Sequence, residues 1–185
     1  LGHALRKEEE VVGVEKTERV WHNGKLIPWD EANVHILTHT LHYGLGVFEG
    51  VRAYHTADRG TCIFRLQEHT SRLFGSGHIL RMDMPFDKET INEAHRAVIR
   101  ENGLKEAYLR PLAYLGSEAM GLRAEGLKTH VVVAAWEWPS YMDPEARERG
   151  IKVRTSSYTR HHVNITMCKA KAVGNYTNSM LALRE

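Results

Sequence analysis

The run Cys168-Lys169-Ala170-Lys171-Ala172-Val173-Gly174-Asn175-Tyr176 is where this chain has the residues for covalent chemistry. A lysine acts as a nucleophile only when its amine is neutral near pH 7, which takes desolvation or a neighbouring cation. Ala170, Ala172, Val173 and Gly174 could desolvate Lys171, and Lys169 brings a second charge. Gly174 lets the backbone approach a ligand, and Tyr176 adds a phenol. Taken alone, a lysine near a glycine is more often a solvated surface residue. A second candidate is the series His35, His39 and His42, whose spacings of four and three would share a helix face and suit a metal. Ile36, Thr38 and Thr40 favour extended structure there, no cysteine or acid lies in the run, and no metal is expected.

The elements that must position these residues read as short strands mixed with helices, an α/β (α+β) pattern. Asn23-Gly24 between short apolar runs signals a hairpin over Val20 to Trp29. Val34 to Leu37 reads as a short strand. Val47 to Tyr54 reads as another, with Phe48, Gly50 and Arg52 on one side and Val47, Glu49, Val51 and Ala53 on the other. Thr61 to Phe64 returns. From Leu66 the period becomes helical through His69, Leu73, Phe74 and Ile79, with Gly77 interrupting. Asp87 caps a helix from Lys88 to Asn102 that Gly103 ends. Ala107 to Leu115 is a strand in which Pro111 argues for an edge or a bulge. The continuous apolar run from Thr129 to Trp136 predicts a strand buried on both faces. Ile151 to Ser157 reads as the strand that opens a second domain.

Lys-Ala-Val-Gly-Asn-Tyr at 171–176, preceded by Ser156-Ser157-Tyr158-Thr159-Arg160-His161-His162-Val163-Asn164, resembles the lysine segment of the branched-chain amino acid aminotransferases. Those are fold-type-IV pyridoxal-phosphate enzymes of two domains. Leu41 to Tyr54 resembles their N-terminal signature, and Phe64 to Leu73 and Tyr108-Leu109-Arg110-Pro111 match two further blocks. The blocks fall in the family's order and cover the chain from about Val20 to its end.

The alternating charge of 1–19 reads as a mobile arm and the rigid, aromatic, proline-bearing 138–150 as a linker, between a small N-terminal domain over 20–137 and the start of the large cofactor-binding domain over 151–185. The resemblance implies that Lys171 forms the Schiff base and carries the proton, that Arg72 holds the cofactor phosphate, and that Tyr176 binds the ring oxygen. Tyr43, Phe48, Tyr108, Arg110, Trp138 and Tyr141 would surround the substrate, with Met120 and Leu122 on a loop reaching a neighbouring subunit of a homo-oligomer. The expected reaction exchanges an amino group between leucine, isoleucine or valine and 2-oxoglutarate. Aromatic walls suit the branched side chains, through burial worth about 25 cal/mol per Å², and Arg110 with the tyrosines suits a carboxylate. A D-amino acid transaminase, an aminodeoxychorismate lyase and a non-catalytic fragment are the competing readings. The family's ring-nitrogen carboxylate would fall beyond Glu185. The chain opens on Leu1 and stops inside a helical pattern at 178–185, so it is expected to be the N-terminal part of a longer enzyme and inactive alone.

Composition narrows the alternatives. Over 185 residues the chain is 42% hydrophobic and 26% charged, as soluble globular proteins are, and its net charge of +2 gives no footprint for nucleic acid. Two cysteines, Cys62 and Cys168, make no disulfide framework and suit a reducing cytoplasm. No apolar run reaches the roughly 18 residues of a membrane helix, and the charged first residues lack the apolar core of a signal peptide.

Overall fold

A computed structural model describes residues 14–123, 125–138 and 144–185. The Asn23-Gly24 turn closes the first hairpin with both residues at positive φ, 48° and 91°, matching the twist of the flanking strands. It joins β1 (Arg19–His22) to β2 (Lys25–Pro28), paired from Arg19 with Pro28 to His22 with Lys25. The chain then makes a 3-10 turn at Trp29–Glu31 and a single helical turn, α1 (His39–Tyr43). β3 (Gly46–Phe48), β4 (Val51–Thr56) and β5 (Gly60–Ile63) follow. Next come α2 (Leu66–Ile79), α3 (Lys88–Glu101), β6 (Ala107–Leu115) and β7 (Thr129–Trp136). The strands form one antiparallel sheet in the order β2-β1-β7-β6-β4-β5, with β3 also on β6. The mixed α/β expectation therefore holds.

Strand alternation divides the sheet into two faces. Val47, Val51, Leu109, Val131 and Val133 are fully buried and meet Leu73 of α2 and Ile91 and Val98 of α3. Burying each such side chain stabilises the fold by about 1.5–3 kcal/mol. Phe48, Arg52, Tyr108, Arg110 and Trp136 leave the opposite face, as their register pairs require. The expected caps of α3 are present: Asp87 accepts from the Thr90 N–H at 2.8 Å, and Gly103 follows the helix at φ 61°.

Several expectations are corrected. β7 is not buried on both faces: Val131, Val133 and Ala135 are buried, while residues 130, 132 and 134 between them are only half-buried. Its apolar composition suits an antiparallel strand whose second face carries a pocket rather than another helix layer. Pro111 lies in a central strand, not at an edge. Its carbonyl accepts from the Glu49 N–H at 3.0 Å, so its missing N–H would point the same way, to where the neighbouring strand breaks between β3 and β4. Gly77 does not interrupt α2: the helix runs through it, with the residue buried beside Met84. Val34 to Leu37 forms no strand, and His39 and His42 share a helical turn despite the threonines beside them. Ile151 to Ser157 is irregular, since a strand needs a partner ladder and none pairs with it among the described residues.

In the expected arm, Leu1 to Gly13 lie outside the described residues. Thr17 donates to the Ala135 carbonyl at 3.0 Å, and the Glu18 and Arg19 amides donate to the Asn102 side chain. Of the expected linker, 139–143, including Tyr141, lie outside the described residues, and α4 (Pro144–Arg149) follows.

One core group makes stability depend on pH. His95 of α3 is 1% exposed, and burial lowers its pKa from 6.5 to about 4. Its Nδ1 donates to the Ile91 carbonyl at 2.7 Å, so Nε2 is the unprotonated nitrogen, and it is buried without a partner. The unfolded chain takes up a proton below about pH 6.5 that the folded chain refuses until about pH 4. His95 therefore contributes fully above pH 6.5, and about 3 kcal/mol is lost as pH falls through that window. Urea unfolding of the complete protein between pH 7 and 4 should show this slope, and His95→Gln should flatten it. An unchanged slope in the variant would assign the acid loss to other groups.

Candidate active site

Lys171 is held by its main chain before its side chain does anything. The Ala172 backbone bridges Val47 of β3 in antiparallel fashion, and the Lys171 carbonyl accepts from the Phe48 N–H at 3.1 Å. The Lys171 N–H donates to Ser76 Oγ of α2 at 3.0 Å. Two glycines let the layers meet: the Gly174 N–H donates to the Gly44 carbonyl at 3.2 Å, and a Cβ on Gly44 would lie 3.3 Å from the Gly174 Cα. Gly44 is also left-handed, φ 70°. Asn175 caps the segment by donating to the Ala170 carbonyl at 3.2 Å. A 3-10 turn over Val173–Tyr176 and α5 (Thr177–Ala182) complete it.

The side chains converge on two rings. Lys171 Nζ donates to Tyr176 Oη at 2.6 Å and lies 4.6 Å from the Phe48 centroid. The Phe48 and Tyr176 centroids are 5.2 Å apart. Arg110 Cζ lies 4.7 Å from the Phe48 centroid, and its Nη2 donates to Tyr108 Oη at 3.0 Å. Among the described residues Arg110 Nε is buried with no partner, and leaving a buried donor unpaired is costly unless a ligand meets it. Trp138 packs edge-on against Tyr108 at 4.8 Å, and its carbonyl accepts from Arg52 Nη1 at 3.0 Å. A Cβ on Gly50 would overlap the Tyr108 hydroxyl, so the absence of a side chain there makes room for that phenol. Arg160 adds a cation 5.2 Å from the Tyr176 centroid.

Arg72, which the resemblance assigns to the cofactor phosphate, is paired with a carboxylate in this structure. Its Nε and Nη2 donate to the two oxygens of Glu49 at 2.5 and 2.7 Å, and His69 Nδ1 donates to the same carboxylate at 2.9 Å. Glu49 is 0% exposed. Burial pushes its carboxyl up, but the hydrogen bonds from Arg72 and His69, with their charges, outweigh it and hold the group below its ordinary value. Arg72 is held above its own ordinary value, first by those hydrogen bonds and then, against burial, by the Glu49 charge and by Tyr176. Nη1 has no partner among the described residues and remains for an anion. The pattern offered a signal for Glu49: it is the one charged residue on the Val47, Val51, Ala53 side of its strand. His69, Ser76 and Arg160 had no such local signal.

The cluster thus contains Lys171, Tyr176, Phe48, Tyr108, Arg110 and Trp138, with Arg72 at its α2 side. Tyr43 does not join it in this chain. Its ring stacks on His39 at 4.4 Å, and it sits 43% exposed on the turn that Gly44 ends. His39 Nε2 donates to the Gly121 carbonyl at 3.0 Å and His42 Nε2 to the Ile36 carbonyl at 2.8 Å. His39 so ties α1 to the loop that carries Met120 and Leu122, both exposed. Among the described residues no group of three or more metal-ligating side chains is assembled.

Comparison with known proteins gives the family. The chain matches the amino-transferase class IV family over residues 46–185. It is 62% identical over 166 residues to the branched-chain-amino-acid aminotransferase of Pseudomonas aeruginosa, covering 90% of this chain and 54% of that protein. With the Escherichia coli K12 protein of the same name the identity is 41%, again over 90% and 54%. The chain therefore spans about half the length of the curated relatives it matches. Among solved structures, the T.th. branched-chain amino acid aminotransferase with pyridoxamine 5'-phosphate superposes with a TM-score of 0.86 at 46% identity, over 90% of this chain and 55% of that one. The Escherichia coli enzyme gives a TM-score of 0.87 at 41% identity, over 91% and 57%. A family match over residues 46–185, with solved structures superposing over 90% of the chain, settles the family: this chain belongs to the class IV aminotransferases.

Proposed function

We propose that the complete protein exchanges an amino group between the branched-chain L-amino acids leucine, isoleucine and valine and 2-oxoglutarate, using pyridoxal phosphate. The observation that carries this reading is the aromatic wall of Phe48, Tyr108 and Trp138 beside Lys171, with Arg110 standing over the same rings. Leucine needs only apolar contact. Glutamate needs that contact and a cation for its distal carboxylate, and burying that carboxylate unpaired would be costly.

The donor set fits the cofactor. Lys171, Arg160 and Tyr176 present two cations and a phenol, and Arg72, whose Nε and Nη2 balance the Glu49 carboxylate, keeps Nη1 as a further donor. Bound there, pyridoxal phosphate supplies an electron sink for charge at the substrate's α-carbon. Lys171 would hold its aldehyde end and carry the proton. Tyr176 would hold the ring oxygen and Arg72 Nη1 a phosphate oxygen, since a guanidinium keeps its charge at every working pH. Arg110 and Tyr108 would orient the substrate. On the same reading 138–150 connects a small domain to a cofactor-binding one, and the Val47–Ala172 bridge is a contact between them. The free thiols of Cys62 and Cys168 suit a reducing compartment, and among the described residues no helix is long and apolar enough to cross a membrane. The exposed apolar side chains of Ile36, Leu41 and Leu122 support a homo-oligomer, and the His39 to Gly121 bond ties α1 to the loop of Leu122.

An acceptor and donor screen on the complete enzyme tests the function. L-leucine with 2-oxoglutarate should give glutamate and the branched 2-oxo acid. Transfer only from D-amino acids, or pyruvate release from aminodeoxychorismate, would replace this reading with one of its competitors. Arg72→Ala should weaken cofactor affinity roughly ten- to hundred-fold, the loss of one charge-assisted contact of about 1.5–3 kcal/mol. It should also destabilise the protein, because Glu49 stays buried and loses its bidentate partner. Adding Glu49→Gln should recover stability but not affinity; recovery of both would make Arg72 a partner of Glu49 and nothing more.

A further inference from the structure

Four amides of the lysine segment donate to main-chain carbonyls, whereas that of Lys171 donates to a side chain. Cys168 donates to Thr166, Ala170 to Met167, Gly174 to Gly44 and Asn175 to Ala172, each to a carbonyl oxygen at 2.9 to 3.2 Å. Lys171 donates instead to a side chain 95 residues away, the Ser76 hydroxyl. Ser76 is 1% exposed, so this N–H has no water to turn to if the hydroxyl is removed.

The bond closes a ring through the fold. Ser76 lies four residues after Arg72 on α2, hence on the same helical face. Arg72 holds Glu49, whose chain neighbour Phe48 donates its N–H back to the Lys171 carbonyl. The Lys171 N–H is thus tied to the helix that carries Arg72, and its carbonyl to the strand that runs into Glu49, the partner of Arg72. A serine buried at that point contributes almost no apolar area, so its hydroxyl is what the site uses.

We propose that Ser76 is a positioning residue for Lys171: its hydroxyl fixes the lysine peptide relative to Arg72, so that Nζ stays on Tyr176 Oη and against the Phe48 ring. This rests on the reading of Lys171 as the reactive amine. The mechanism is geometric. The lysine side chain has four rotatable bonds, and a shift of its peptide displaces Nζ from the phenol 2.6 Å away. Small misplacements of a reacting group cost rate without costing affinity.

The test uses the complete holoenzyme in single-turnover half-reactions with L-leucine. Ser76→Ala should slow the reaction about tenfold while half-saturation by leucine changes less than twofold. Ser76→Thr, which keeps the hydroxyl, should retain most of the rate. In a Lys171→Ala enzyme supplied with methylamine as the proton carrier, adding Ser76→Ala should have no further effect, because the group it positions is gone. A tenfold loss that persists in the methylamine-supplied background, an unchanged rate in Ser76→Ala, or a folded Ser76→Thr as slow as Ser76→Ala would each overturn the proposal. If Ser76→Ala does not fold, the threonine variant decides: full rate supports the hydroxyl, and a tenfold loss in a folded enzyme refutes it. Failure of the underlying reading shows separately, as a Lys171→Ala enzyme that turns over at full rate without added amine.

Discussion

Replacing Lys171 by alanine in the complete enzyme should cut the leucine half-reaction by about 10²–10⁴-fold, the usual worth of a positioned proton carrier. Methylamine should restore part of it. The amine sits 2.6 Å from a phenol oxygen and over two aromatic rings, 4.6 and 5.0 Å from their centroids. Lys169 is the natural competitor, two residues away, and would leave the same side if the stretch were extended. Instead 168–170 form a turn closed by the Ala170 N–H on the Met167 carbonyl. The structure separates them: Lys169 is exposed, whereas Lys171 is half-buried and its carbonyl is bonded to β3. Borohydride reduction of the holoenzyme and peptide mapping should place the cofactor label on Lys171. A label on Lys169, with a Lys171→Ala enzyme of normal rate, would overturn the assignment.

Arg110→Met should divide the two substrates. The specificity constants for glutamate and 2-oxoglutarate should fall roughly 30- to 10³-fold, the range for removing one partner of a desolvated charge pair. Those for leucine should change little. Arg110 stands over Phe48 and Tyr108 at 4.7 and 5.3 Å and bonds Tyr108 through Nη2, while Nε is buried and unpaired. A guanidinium stacked this way is aside for an apolar side chain and available to a carboxylate. Methionine keeps most of the stem's volume, so a loss confined to the acidic substrates reports charge and hydrogen bonding. Equal losses for leucine and glutamate would mean that Arg110 serves the fold or the α-carboxylate common to both.

Local rules made much of this legible. A left-handed Asn-Gly pair can hardly do anything but turn a hairpin, and an aspartate before an amphipathic run caps it. The period of two from Val47 to Ala53 also sorted Glu49 onto the core side, which the structure confirms. What stayed hidden depends on partners distant in sequence. The apolar run of β7 could not say that one of its faces lines a pocket, because that is decided by where β6 and β1 lie. Pro111 looked like an edge signal, but its missing N–H is accommodated by a break in the strand opposite. The irregular Ile151 to Ser157 has β composition without a ladder. Within the site, Lys171, Tyr176, Tyr108 and Arg110 came from motifs, whereas the bonds from Arg72 to Glu49 and from Lys171 to Ser76 span 23 and 95 residues. No local pattern encodes such pairs.

The bridge between Val47 and Ala172 has a consequence for solubility. β3 is hydrogen-bonded to β6 on one side only. Without the lysine segment its other side would be a bare sheet edge with the apolar Val47 at its centre, and such edges recruit strands from other molecules. The segment that carries Lys171 is therefore also the cover of that edge. Substitutions that loosen it, at Gly44 or Gly46 for instance, expose a template for intermolecular pairing as well as displacing Lys171. Loss of activity at these positions should come with self-association, whereas substitutions confined to the amine or the phenol should leave the protein as soluble as before.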